Sequence, residues 1–287
     1  MAYFISSSKA RRWTDLLIES DRLYFAAGSE LQRLPGGSLA VMPRLAALSA
    51  GAVVLVDDAG PIVANPTAWR DEALSICAAA GATELRFYTQ ATDVRLARAL
   101  ASTGMAPRIE IALAGCAADL IGIENTRDPR WSVREVTTPA LWCAKARLHE
   151  RTPERPDGKP ADAESWVRLE RGKVEAGYMT PYLIERNDAV CGAFGLSFTP
   201  ELLRFKNLFV DPAERRCGAA SAALRWIARQ ALARGIGAVG CFVLPESAGE
   251  RLYVRGGFAE VGRQLEWRVP IAAHKRKEER PLRNAVG

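Results

Sequence analysis

The chain has 287 residues, 48% of them hydrophobic and 25% charged, the composition of an ordinary water-soluble globular protein rather than a disordered or membrane one. At about 100 to 200 residues per domain, that length predicts two cores. No apolar run approaches the ~18 residues of a membrane span, and the first residues lack a basic segment followed by a long apolar one. A cytoplasmic protein without membrane contact is therefore expected. The six cysteines (Cys77, Cys116, Cys143, Cys191, Cys217 and Cys241) form no C-x-x-C pair, so neither a zinc site nor a disulfide framework is expected. With His149 and His274 as the two histidines, metal-dependent and Ser-His-Asp mechanisms have little support. The net charge of +6 owes part of its surplus to a tail where Lys275, Arg276, Lys277, Arg280 and Arg283 outnumber Glu278 and Glu279. Without a helix-turn-helix, zinc-finger or RNA-binding signature, that tail reads as solvated charge, and no nucleic-acid partner is expected.

In chain order, an amphipathic stretch at 11–20 precedes a β-branched strand at 52–56, which ends in Asp57-Asp-Ala-Gly60. A helix at 67–80 closed by Gly81, a strand at 84–89, a helix at 92–102 closed by Gly104 and a strand at 108–114 follow. Residues 116–130 lose the periodic pattern, and the domain boundary is placed there. The division is 1–118 for the first domain, 119–130 for a linker, 131–270 for the second domain and 271–287 for the basic tail.

The second half opens with a strand at 132–136. Helices at 139–150 and 161–171 flank a polar loop at 151–160, and strands at 182–186, 189–197 and 202–210 form a meander. A long helix at 218–233 places Ala220, Ala223, Leu224, Ile227 and Ala231 on one stripe and stops at Arg234-Gly235. A strand at 237–244, a short helix at 247–255 and a final strand at 258–269 complete the chain.

The most informative segment is Leu208-Phe-Val-Asp-Pro-Ala-Glu-Arg-Arg-Cys-Gly-Ala-Ala-Ser-Ala-Ala-Leu224. A strand runs through a proline turn directly into the long helix. Gly218, Ala219 and Ala220 let the backbone approach a ligand closely, while the free N–H groups and the positive end of the helix dipole face outward. Such a place suits a pyrophosphate, and Arg215 and Arg216 add charged donors.

On these residues the sequence resembles the GNAT superfamily of acyl-CoA N-acyltransferases. The superfamily loop, Val-x-Pro-x-x-(Arg/Gln)-x-x-Gly-x-(Gly/Ala), is filled by Val210, Pro212, Arg215, Gly218 and Ala220. A second block, Leu-Tyr-x-x-x-Gly-Phe, stands one strand later as Leu252, Tyr253, Gly257 and Phe258. The resemblance covers about 140 residues. It implies acetyl-CoA as co-substrate, held by Phe209, Val210, Arg215, Arg216, Cys217, Gly218, Ala219, Ala220 and Ser221. It also implies that the strand before the loop splays from its neighbour, that a main-chain N–H near Val210 polarises the thioester carbonyl, and that Tyr253 protonates the departing thiolate.

The superfamily commonly places a Glu or an ordered water on the strand before the loop as base, yet the strand at 202–210 has no carboxylate. Water-mediated deprotonation is the working reading, with Glu175 and Glu185 as weak substitutes. Arg204 and Lys206 share a strand face and are candidates for orienting an anionic acceptor, ordinary surface exposure being the competing reading. Ser247 and Glu250 form a capping box and read as structural. Cys217 has no accompanying base and is not a nucleophile. Gly235-Ile-Gly-Ala-Val-Gly240 follows a helix and enters a strand, the reverse of a dinucleotide fingerprint.

The first half carries a fainter copy of the closing unit, with Leu100 where Tyr253 stands and no Arg-x-x-Gly-x-Ala loop; Gly60-Pro-Ile-Val-Ala-Asn-Pro66 occupies that place. The expected fold is therefore α/β (α+β): two GNAT-like domains, each a mixed central sheet flanked by helices, the N-terminal copy degenerate and packed against the active half. The expected activity is acetyl transfer to a primary amine of a small molecule in a ternary complex, by a monomer or homodimer without metal. A non-catalytic acyl-CoA sensor or assembly module and a protein lysine acetyltransferase are the rivals.

Overall fold

The computed structural model describes residues 5–121, 131–151 and 162–271. The polar loop at 152–160, most of the linker (122–130) and the tail (272–287) lie outside the described residues. The first half contributes α1 (Ser7–Ala26), β1 (Glu30–Leu34), β2 (Gly37–Val41), β3 (Ala52–Val56), α2 (Gly60–Ala64), α3 (Pro66–Ala79), β4 (Glu84–Gln90), α4 (Val94–Ala101), β5 (Pro107–Cys116) and α5 (Ala117–Ile121). The second contributes β6 (Trp131–Glu135), α6 (Pro139–Arg151), α7 (Ala163–Glu175), β7 (Thr180–Arg186), β8 (Ala189–Phe198), β9 (Leu202–Val210), α8 (Ala219–Ala233), β10 (Ala238–Val243), α9 (Ala248–Arg255) and β11 (Ala259–Pro270).

Among the described residues all strands join one sheet, in the order β1-β2-β3-β4-β11-β5-β10-β9-β8-β7-β6. The expectation of one domain packed against another is corrected by this order: the halves exchange their closing strands. β5, from the first half, pairs antiparallel with β10, and β11, from the second, pairs antiparallel with β4. The two exchanged strands then pair with each other from Ala259↔Ala114 to Trp267↔Pro107. Each half thus completes its partner's sheet, and the sheet has no free edge at the junction where a foreign strand could add.

Helices cover both faces. On one, α8 and α9 pack Ala223, Leu224, Ile227 and Tyr253 against Leu113, Phe194, Leu203 and Phe205, while α3 and α4 cover β2–β4 with Trp69, Ala73, Leu96 and Leu100. On the other, α6 and α7 cover the far end of the second half and α1 crosses the junction, where Trp13 and Leu17 rest on Ala112, Ala114, Leu202 and Ala238. Those strand positions are small because the helix lies close; a Cβ on Gly240 would stand 3.1 Å from Leu17. The buried Lys173 of α7 donates to the carbonyls of Phe25 (3.2 Å) and Ala27 (2.7 Å), satisfying the C-terminal end of α1 and tying it to the second half.

Candidate active site

β9 and β10 pair in parallel at only three positions, Ala238↔Leu202, Val239↔Leu203 and Gly240↔Arg204, and then diverge. On its other side β9 carries a bulge, where Asn207 adopts φ 54° and the register against β8 shifts between Ala193 and Gly195. Bulges bend a strand and end its pairing. The divergence opens a cavity of about 370 Å³ through the sheet. From the face carrying α9 it is lined by Phe205, Val243 and Tyr253; from the face crossed by α1, by Glu110, Arg204 and Lys206.

At the end of β9, Asp211 accepts from Ala213 N at 3.0 Å and starts a single 3₁₀ turn, Pro212–Glu214. The chain then enters α8 through two left-handed residues, Arg216 (φ 64°) and Gly218 (φ 97°). Gly218 is the N-cap of α8 and offers no side chain to the first-turn N–H groups. Among the described residues, a Cβ at Gly218 would meet nothing nearer than Trp131 Nε1, at 3.8 Å. Arg215, Arg216, Cys217 and Gly218 are exposed, Ala220 and Ser221 half-buried, and Ala219 faces the core. A glycine start at the positive end of a 15-residue helix is an arrangement that can receive an oxyanion.

The corresponding helix of the first half is closed. Asn65 caps α3, its Oδ1 accepting from Ala68 N at 3.2 Å, and Pro66 fills the first turn. Leu100, in the place of Tyr253, is fully buried in the first-half core.

The other predicted site residues fall as follows. Arg215 Nε donates to Val210 O at 3.1 Å, holding its side chain against the strand end. Phe209 turns its ring toward α6, 4.8 Å from the His149 ring, so what it offers the loop is main chain. Tyr253 is 7% exposed and packs edge-on against Phe205, with centroids 5.2 Å apart. Burial pushes its phenol well above the usual range, so it carries its proton across all neutral pH. Ser247 caps α9, accepting from Glu250 N at 3.1 Å, and Glu250 in turn accepts from Glu246 N, the structural role expected of this pair.

Arg204 and Lys206 require a correction. They share the cavity wall, but neither is a free surface cation: both bind Asp21 of α1, Arg204 at 2.5 Å and Lys206 at 2.6 Å. Arg204 is 2% exposed and serves as the countercharge of a buried aspartate. Burial lowers Lys206 to about 8, Arg204 pushing in the same direction and Asp21 opposing. Glu175 is exposed at the end of α7, and Glu185 is buried on β7, where Arg134 and Ser132 bind it. Neither lines the cavity.

Sequence reasoning missed Asp21, Asn207 and Glu110. Asp21 sits on an otherwise ordinary amphipathic helix, and only the exchanged strands bring Glu110 near Tyr253.

A sheet parting between two parallel strands, with a long helix following the first of them through a short turn, is the architecture to be compared with known folds. Residues 144–258 match the model of the Acetyltransferase (GNAT) family. No curated protein sequence matches the chain. Among solved structures, a conserved protein of unknown function from Staphylococcus epidermidis aligns with TM-score 0.63 at 11% identity, over 90% of this chain and 97% of that one. A GCN5-related N-acetyltransferase from Kribbella flavida aligns with TM-score 0.62 at 13% identity, over 91% and 95%. A tandem GNAT protein from the clavulanic acid biosynthesis pathway aligns with TM-score 0.56 at 13% identity, over 94% and 98%. The fold is that of two GNAT-like domains in tandem.

Proposed function

We propose that the protein transfers the acetyl group of acetyl-CoA to a primary amine of a small molecule, by direct attack within a ternary complex. The observation that carries this reading is the glycine-started N-terminus of α8, which follows one short turn after β9, the strand that parts from β10.

The amides from Arg216 to Ser221, with the Arg216 guanidinium, would hold the pyrophosphate. The chain's main contribution there would be preorganisation, with Gly218 at φ 97° fixing the backbone turn into the helix before any ligand arrives. The gap would receive the pantetheine arm, whose bound thioester supplies an activated acyl carbon. A main-chain N–H near Val210 would meet the carbonyl oxygen. Tyr253, protonated and at the cavity wall, would give its proton to the leaving sulfur. The closed start of α3 supports one cofactor per chain.

A sensor that binds acetyl-CoA without turnover remains the rival, favoured by a β9 that carries no carboxylate. The test is release of free CoA thiol from acetyl-CoA in the presence of putrescine, ethanolamine, L-lysine, glucosamine or tryptamine, with mass spectrometry of the acetylated product. Thiol release that depends on one of these amines supports the enzyme. Acetyl-CoA binding with no thiol release under any of them supports the sensor.

A further inference from the structure

The acyl-transfer reading lacks a group to take the proton from the incoming ammonium, and among the described residues the second half offers no carboxylate in the cavity. The first half does. Glu110 stands on β5, the strand that the N-terminal half inserts beside β10, and its side chain lines the same cavity as Tyr253. The two reach that cavity from opposite faces. Ala112 and Ala114, which alternate with Glu110, face α1, whereas Tyr253 packs with Leu113 and Phe205 on the other face. An acyl donor approaching from the α8 and α9 side and an amine approaching from the α1 side would meet in the gap.

We propose that Glu110 is the general base of the second half's active site, which makes the degenerate N-terminal copy a contributor to catalysis. This inference rests on the acyl-transfer reading. In the step it describes, the ammonium gives its proton to the Glu110 carboxylate, directly or through one water. The freed nitrogen lone pair forms the N–C bond, the C–S bond breaks, and the thiolate takes its proton from Tyr253. The second proton that the nitrogen loses as the amide forms returns through water to the Tyr253 oxygen, and Glu110 gives its proton to solvent.

The surroundings suit the role. Glu110 is 15% exposed, accepts a hydrogen bond from Gln264 Nε2 at 2.8 Å, and stands 3.6 Å from Arg108, whose stronger partner is Glu266. The other ionisable groups around it are Asp21 on α1, Arg86 and Tyr88 on β4, Arg204 and Lys206 on β9, Cys241 on β10, Tyr253 on α9 and Glu266 on β11. Burial raises its carboxyl above the ordinary value, the Gln264 hydrogen bond opposes, and Asp21 and Glu266 add to the rise. A raised carboxyl is a stronger base than an exposed one. Lys206, also on the cavity wall, is a poorer candidate because its ammonium is bound to Asp21 and lies 4.2 Å from the Tyr24 ring centre.

The test uses the full chain and whichever of the five amines supports thiol release. Glu110→Gln should lower kcat by about 100-fold or more while leaving acetyl-CoA affinity by calorimetry unchanged, and should abolish the acidic limb of the pH–rate profile. Glu110→Ala should lose activity similarly and regain part of it in formate, which a purely structural carboxylate would not allow. Turnover by Glu110→Gln within twofold of the parent at every pH, or absence of formate rescue, overturns the assignment while leaving acyl transfer standing. Failure of the unaltered protein to release thiol with every amine overturns both.

Discussion

Asp21 in the first helix and Arg204 in the strand before the loop are 183 positions apart in sequence and 2.5 Å apart in space. Asp21 also accepts from Lys206 (2.6 Å) and Gln264 (2.9 Å), so one carboxylate joins α1, β9 and β11 across the line where the halves meet. Deleting it leaves a buried guanidinium without its countercharge. Asp21→Ala should cost about 3–5 kcal/mol, read from urea unfolding at neutral pH. A loss below about 1 kcal/mol would mean that water or another carboxylate replaces it.

The same pair sets an acid dependence. Burial alone would raise the Asp21 carboxyl, but Arg204, Lys206 and Gln264 outweigh it and hold the group well below the usual range. Its stabilisation is then complete above the unfolded value, about 3.9, and is lost as pH falls toward the depressed folded value. Asp21→Asn should therefore show a flatter stability curve than the parent between about pH 4 and pH 2. Parallel curves for the two proteins would refute the shift.

Gly218 supplies a left-handed helix start over open space. Gly218→Val should weaken acetyl-CoA binding by over about 100-fold in calorimetry, because its side chain would occupy the anion's place. Normal affinity in that variant would remove the loop from the cofactor site.

Tyr253→Phe should lower kcat by about 10- to 1000-fold with little change in acetyl-CoA affinity, the signature of a lost proton donor. Unchanged turnover would exclude the phenol from the reaction.

Strand exchange makes the halves interdependent. A fragment spanning 131–287 leaves β10 and β11 without β5 between them, exposing unpaired backbone on both. It should lack the near-ultraviolet circular dichroism of the whole chain and recover it on mixing with a fragment of residues 1–121. A fragment that folds alone and binds acetyl-CoA would contradict that interdependence.

Local patterns were legible where a short stretch decides its own structure. The apolar run of β3, the caps of α8 and α9 and the turn glycines Gly81 and Gly104 stand where the sequence places them. The hairpin of β1 and β2 escaped because β1 is exposed along most of its length and carries no alternation to read. The loop motif was legible because phosphate recognition by main chain demands small residues at fixed spacing. Sheet order was not, because β5 and β11 are suited by their own sequences to either half. Which half they join is decided by long-range pairing, and with it the neighbours of Glu110. The burial of Arg204 was illegible for the same reason, since its partner Asp21 is distant in sequence.

The central claim is that main-chain donors at the start of α8 hold the pyrophosphate of acetyl-CoA. A crystal structure of the protein soaked with acetyl-CoA tests it most directly. Pyrophosphate density is expected within hydrogen-bonding distance of the amides between Arg216 and Ser221, with the pantetheine arm between β9 and β10. Cofactor density elsewhere on the molecule, with the start of α8 facing solvent alone, would contradict it.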